Sequence, residues 1–108
     1  IFTQSHVKVH NLKDQFARKH INAIPVLEDD GTISGIVSSS DLVAVHDESL
    51  TVNDIKTKRV HIAVKNHRVK DAAKMMVKHN CHHLLVMDDG KVIGMLSSMD
   101  IVRFFANE

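Results

Sequence analysis

Cysteine is almost absent from this chain. The single Cys81 has no partner for an internal disulfide, so the core must hold the fold, and a reducing cytoplasm is the expected compartment. Tryptophan and tyrosine are missing and phenylalanine occurs four times, which leaves few platforms for stacking single-stranded bases. Neither sign of charge prevails. Fourteen Lys and Arg face thirteen Asp and Glu, scattered along the chain, so there is none of the basic striping that nucleic acid selects. No apolar run approaches the ~20 residues that cross a bilayer. Ile1 to His20 is polar and mixed in charge, unlike a secretory signal. The sequence has no Gly-x-Ser-x-Gly elbow, P-loop or His-Glu-x-x-His, and so none of the usual catalytic signatures.

What remains is an ordinary soluble composition over 108 residues, 44% hydrophobic and 25% charged, enough for one domain or two small units sharing a core. Nine histidines are the one excess, and a modest fall in pH would make the chain appreciably cationic. Because the chain opens on Ile1 rather than Met, it is expected to be a fragment or processed form of something longer.

With only four glycines, their spacing is informative. An offset of 59 takes Gly31 to Gly90 and Gly35 to Gly94; it also takes Ser38 to Ser97, Ser39 to Ser98, Asp41 to Asp100 and Val43 to Val102. Upstream the offset becomes 60, taking Val9 to Val69, Phe16 to Met76, Ile24 to Leu84 and Val26 to Val86. The change falls between Glu28-Asp29-Asp30-Gly31 and Asp88-Asp89-Gly90, in a turn, where length varies most freely. The chain is thus read as two repeats, 1–46 and 47–108.

Each repeat has the same local pattern. Val69, Ala72, Ala73, Met76 and Val77 form one apolar stripe at helical spacing, and Val9, Leu12, Phe16 and Ala17 form a rougher one. The short apolar runs Ile24–Leu27 and Leu84–Met87 lead into Asp-Gly turns and read as hairpin strands, with partners at Thr32 to Val37 and Lys91 to Leu96. Second helices follow, around Ser39 to Val45 and Ser98 to Phe105. A strand from Val60 to Val64 precedes the first helix of the second repeat; the helix between it and Leu84–Met87 is a crossover, so these two strands should be parallel. The fold class is α/β (α+β), built from two βαββα units. The second repeat also has a leader, Leu50 to Lys58, whose counterpart in the first would precede Ile1.

The most informative motif is Gly35-Ile36-Val37-Ser38-Ser39-Ser40-Asp41, copied as Gly94-Met95-Leu96-Ser97-Ser98-Met99-Asp100. Ser-x-x-Asp at a strand-to-helix junction can be a helix cap. The same atoms suit a nucleotide: a helix N-terminus presents free amides to phosphate, Asp can accept both ribose hydroxyls, and Gly permits close backbone approach. Recurrence of the whole heptapeptide favours the second reading.

Ile24-Pro25-Val26 before Asp-Asp-Gly, then Gly-Ile-Val-Ser-x-x-Asp-Leu, resembles a CBS domain, and the copy resembles a second one. Thr51-Val52-Asn53-Asp54-Ile55 is similar to the segment that opens such domains. The resemblance is to a tandem CBS pair (a Bateman module). It implies repeats packed with pseudo-twofold symmetry, clefts that take adenosine-containing ligands, a regulatory role in signal transduction rather than catalysis, and a disc-like homodimer. It places Asp41 and Asp100 on ribose, with Ser38 and Ser97 near ribose or phosphate. Asn22 and Ile24, with His82, His83 and Leu84 in the second repeat, fall where the family approaches its ligand. Many members have a cleft-lining Thr late in the first strand; this chain has Ile62-Ala63-Val64 in the second repeat, with Thr3 near that place in the first. AMP, ADP, ATP, NAD or S-adenosylmethionine would each suit these residues. No tightly bound cofactor, metal, nucleic acid or membrane partner is expected.

Two other readings compete. One is an association module with empty clefts. The other is a metal-responsive protein using His79, His82 and His83, although His82 and His83 should point to opposite faces of an extended segment. Asp29-Asp30 and Asp88-Asp89 belong to turns, where Asp is favoured for backbone reasons.

Overall fold

The computed structural model describes residues 1–47 and 49–107; Glu48 and Glu108, which the sequence-based repeats include, lie outside the described residues. The chain divides into two compact units, Ile1–Arg59 and Val60–Glu108.

The first unit contains α1 (Val9–Lys19), β1 (Ala23–Leu27), β2 (Ile33–Ser38), α2 (Ser39–Val43) and α3 (Val52–Ile55). Val9, Leu12 and Phe16 share one face of α1 and are all buried, and the helix stops at His20, in the left-handed region at φ 54°. β1 and β2 are antiparallel, with Ile24 opposite Val37 and a bulge between Val26 and Leu27. Gly31 turns the hairpin at φ 86°. In place of an edge strand, Thr3 makes one parallel bridge to Val26, its N–H donating to the Pro25 carbonyl and its carbonyl accepting from Leu27 N–H. α2 ends at Val43, two residues short of the sequence expectation, and the Val45 N–H closes a turn on the Leu42 carbonyl.

The leader packs into this first unit. Val52 is fully buried in its core, with Leu50 and Ile55 partly buried against it. Val9 N–H donates to the Leu50 carbonyl and Val52 N–H to that of Val7, both at 2.8 Å. Thr57 then pairs antiparallel with Ile36 through two hydrogen bonds of 2.9 and 3.0 Å, extending the sheet beyond β2. This explains Gly35, where a Cβ would fall 2.7 Å from the Thr57 carbonyl oxygen. A repeat boundary at 46/47 and a compact-unit boundary at 59/60 therefore mark different things, because burial of Val52 and the Thr57 pairing attach the leader to the unit before it.

The second unit contains β3 (Ile62–Val64), α4 (Val69–His79), β4 (His83–Asp88), β5 (Lys91–Ser97) and α5 (Ser98–Ala106). β3 and β4 are parallel and β4 and β5 antiparallel, giving the order β3-β4-β5. The parallel pairing follows from the α4 crossover, as the sequence leads one to expect. Asp89 and Gly90 both have positive φ, 51° and 75°, as a two-residue hairpin turn with the strands' own twist requires. Ala63, Ala72, Met76, Leu84 and Ile101 form the core. The local repeat is faithful in detail. Asn80 ends α4 at φ 50° as His20 ends α1, and the Val86/Met87 bulge matches Val26/Leu27. Thr3 and Ala63 occupy equivalent places, opposite Val26 and Val86.

Candidate functional site

Each unit has a junction where the last strand hands over to the second helix. Ser38 is extended at φ −111° and caps α2. Its N–H donates to Asp41 Oδ2 at 2.8 Å and its hydroxyl to the same oxygen at 3.1 Å. The Ser40 hydroxyl lies 2.8 Å from that of Ser38. In the second unit Ser97 N–H donates to Asp100 Oδ2 at 2.8 Å, and Asp100 N–H returns a bond to Ser97 Oγ at 3.0 Å. The capping reading is therefore correct for both copies. It does not exhaust the carboxylates, since each can accept about four hydrogen bonds and the cap contacts fall on Oδ2.

The two junctions differ in charge. Asp100 Oδ1 is 3.7 Å from Arg103 Nη1, and the Asp100 side chain is 42% exposed. The Ser97 backbone N–H holds its carboxyl below the usual carboxylate value, with the positive charges of Arg103 and His83 adding to the effect against partial desolvation. Asp41 instead receives the Thr57 hydroxyl at 3.5 Å. Thr57 was not legible as a site residue, because it reaches Asp41 only through the leader's pairing with β2.

The starts of β1 and β4 are tied to these junctions. Ser39 N–H donates to the Asn22 carbonyl at 2.8 Å and Ser98 N–H to that of His82 at 2.9 Å. His83 lies opposite Ser97 in the ladder. Asn22 with Ser38 and Asp41, and His82 and His83 with Ser97 and Asp100, thus share an edge in their own units. Ile24 and Leu84 do not. Both side chains are fully buried in their units' cores, in the buried middle of their strands, so only their backbone groups face that edge. Ile62 is 40% exposed on the face of β3 opposite the buried Ala63.

Among the described residues, no three His, Cys, Asp or Glu side chains converge to hold a metal ion. His79 stacks on His61 with ring centroids 4.1 Å apart. An open groove of about 560 Å³ runs along α1 and α2, lined by Phe16, Ile21, Leu42 and Val43 with Lys13 and His46 at its polar side; it includes none of the predicted site residues. No helix among the described residues is long and apolar enough to cross a membrane.

A family model described as the CBS domain matches residues 2–48 and again 52–107. An uncharacterized protein of Methanocaldococcus jannaschii, MJ1225, is 23% identical over 88% of this chain, which spans 35% of that relative's length. The crystal structure of the CBS domain pair of MJ0100, in complex with 5'-methylthioadenosine and S-adenosyl-L-methionine, is similar at TM-score 0.86 and 27% identity, covering 99% of this chain and 90% of that one. CBSX2 in complex with AMP is similar at TM-score 0.85 and 26% identity, over 99% and 87% of the two chains.

Proposed function

Because the chain belongs to the CBS-domain family, we propose that it is a regulatory module that binds an adenosine-containing ligand and transmits its presence to a partner domain or protein, without catalysing a reaction itself. The observation that carries this reading is the duplicated Ser-x-x-Asp junction. In each copy one carboxylate oxygen fixes the helix cap, and the carboxylate retains acceptor capacity for a ribose diol. AMP, S-adenosylmethionine and 5'-methylthioadenosine, the ligands of the two solved relatives, all carry that diol. A diol reader would tolerate the different groups they carry at the 5' position.

The two edges would not be equivalent. The second has His83 and Arg103 near Asp100, with His82 beside it at the start of β4, its carbonyl bonded by Ser98 N–H, which suits a phosphate. The first has uncharged Asn22, Ser40 and Thr57 near Asp41. The protein would act in the cytoplasm and as a homodimer. Val43, Val102, Phe104 and Phe105 on the second helices are 79%, 57%, 49% and 47% exposed, apolar surface of the kind self-association covers. The same surface favours a second reading, an association module whose ligand edges stay empty.

Calorimetric titration of AMP and adenosine separates the two readings. Asp41→Ala and Asp100→Ala should each weaken binding at their own edge by roughly tenfold to a hundredfold, the loss of charge-assisted bonds of ~1.5–3 kcal/mol. Asp→Asn controls keep an acceptor for the cap. A phosphate beside His82 and His83 raises the imidazole pKa in the complex, so AMP binding should tighten from pH 8 to pH 6 while adenosine binding stays nearly level. His82→Gln with His83→Gln should flatten the AMP slope. A double Asp→Ala chain that binds AMP as the parent does would refute the ribose role, and a parent chain that binds neither AMP nor adenosine would leave the association reading.

A further inference from the structure

The two ligand edges share one frame, yet the charged side chains of the second are alanines in the first. By the repeat offsets His83 corresponds to Ala23 and Arg103 to Ala44. The backbone places match. Ala23 lies opposite Ser38 in its ladder as His83 lies opposite Ser97. Ala44, at φ −75° and ψ −11°, follows α2 in helical conformation, at the place that Arg103 takes within α5. Arg103 Nη1 stands 3.7 Å from Asp100 Oδ1, and the positive charge of His83 also acts on Asp100. Among the described residues no cation pairs with Asp41. Lys56, next to Thr57, is turned away: its side chain is 7% exposed, with Nζ 3.7 Å from Glu28 and donating to Ser5 Oγ at 3.3 Å. Hydroxyls surround Asp41 instead, from Ser38 at 3.1 Å and Thr57 at 3.5 Å, with Ser40 beside Ser38 where the second copy has Met99.

We infer that the two edges sort adenosyl ligands by the charge of their 5' group: the Asp41 edge takes a 5' sulfonium, the Asp100 edge a 5' phosphate, and one chain holds both at once. The inference rests on the reading of both edges as ribose sites. A diol held by an Asp brings the 5' group of the same ribose close to that carboxylate. Two unit charges ~6 Å apart at a protein surface change affinity by about tenfold or more. At the first edge the carboxylate is uncompensated, so it repels phosphate and attracts a sulfonium. At the second edge Arg103 offsets the carboxylate and His83 adds to it when protonated, so the preference reverses. Ala23, Ala44, His83 and Arg103 are then the residues that set specificity, and the chain responds to two ligand classes together.

The test titrates the whole chain, isotope-labelled, with AMP and with S-adenosylmethionine, singly and each in the presence of the other. AMP should perturb the amides of Ser97–Asp100 and S-adenosylmethionine those of Ser38–Asp41, and a chain saturated with one should still bind the other. Arg103→Ala should weaken AMP binding about tenfold. Ala44→Arg with Ala23→His should move the first edge toward the second, adding AMP perturbations at Ser38–Asp41 and weakening S-adenosylmethionine about tenfold. Ala44 is exposed, so Ala44→Arg alone carries this arm if the pair does not fold. Mutual displacement of the two ligands, AMP perturbing both edges equally in the parent, or unchanged AMP affinity in the Arg103→Ala chain would each overturn the charge sorting while leaving the ribose sites standing. Undiminished binding of both ligands by the double Asp→Ala chain would instead remove the ribose reading, and the sorting with it.

Discussion

Replacing Gly35 by alanine tests whether the leader's pairing contributes to stability. The new Cβ would sit 2.7 Å from the Thr57 carbonyl oxygen and 3.2 Å from two side-chain carbons of Lys56. The lysine stem can move, but the carbonyl is fixed by its bond from Ile36 N–H at 3.0 Å. Overpacking of this kind costs about 1–3 kcal/mol. If the strand parts instead, the two Ile36–Thr57 bonds are lost at ~0.5–1.5 kcal/mol each. Against this, alanine for glycine in a strand returns ~0.4–1 kcal/mol through the unfolded chain. The balance is a loss of about 1–2 kcal/mol, or roughly 4–10 °C in Tm for a chain this size. Gly94→Ala meets no neighbour and should be neutral or slightly stabilising. Urea denaturation of the parent and both variants, followed by far-UV circular dichroism, measures the difference. If Gly35→Ala and Gly94→Ala shift the midpoint equally, the leader's seat on β2 contributes nothing and the argument fails.

Three further outcomes follow from the same geometry. Val52→Ala removes two buried methyls from the first core and should cost about 2 kcal/mol; a loss under about 0.5 kcal/mol in chemical denaturation would mean the leader is only loosely attached. The Asp100 carboxyl is held below its ordinary value of 3.8, first by the Ser97 N–H, so its contribution is complete above pH 3.8 and is lost as pH falls through the lower folded value. An Asp100→Asn chain should therefore lose less stability than the parent between pH 5 and pH 2, and parallel acid-unfolding curves would contradict this. Burial pushes the Cys81 thiol up, so iodoacetamide at pH 8 should modify it more slowly in the folded chain than in urea; equal rates would show it to be fully accessible.

Much of each unit was legible because its signals are local. The α4 stripe of Val69, Ala72 and Met76 repeats at helical spacing, and Asp89-Gly90 carries the backbone requirement of its turn. Ser97 and Asp100 stand three apart, as a capping pair must. The inward burial of Ile24 and Leu84 was not legible, because a resemblance assigns positions and not the burial of a side chain. The leader's destination was out of reach. Thr57 meets Ile36 and Val52 meets Val9 across long separations, and a one-turn helix such as α3 leaves no periodicity to read. Thr57 near Asp41 was hidden for the same reason.

The seating of Val52 and Thr57 also has a consequence in time. A chain leaving the ribosome exposes its repeats in order, and units generally fold as they emerge. The first repeat is complete at about residue 46, yet its core lacks the fully buried Val52 and its neighbours Leu50 and Ile55 until they arrive, and the β2 edge is sealed only by Thr57. Synthesis therefore passes through a window in which the first helix, hairpin and second helix exist with an open apolar flank and an unpaired strand edge. The residues that close this window are already the lead-in to the next repeat, so the first unit cannot become fully native before the second repeat has begun.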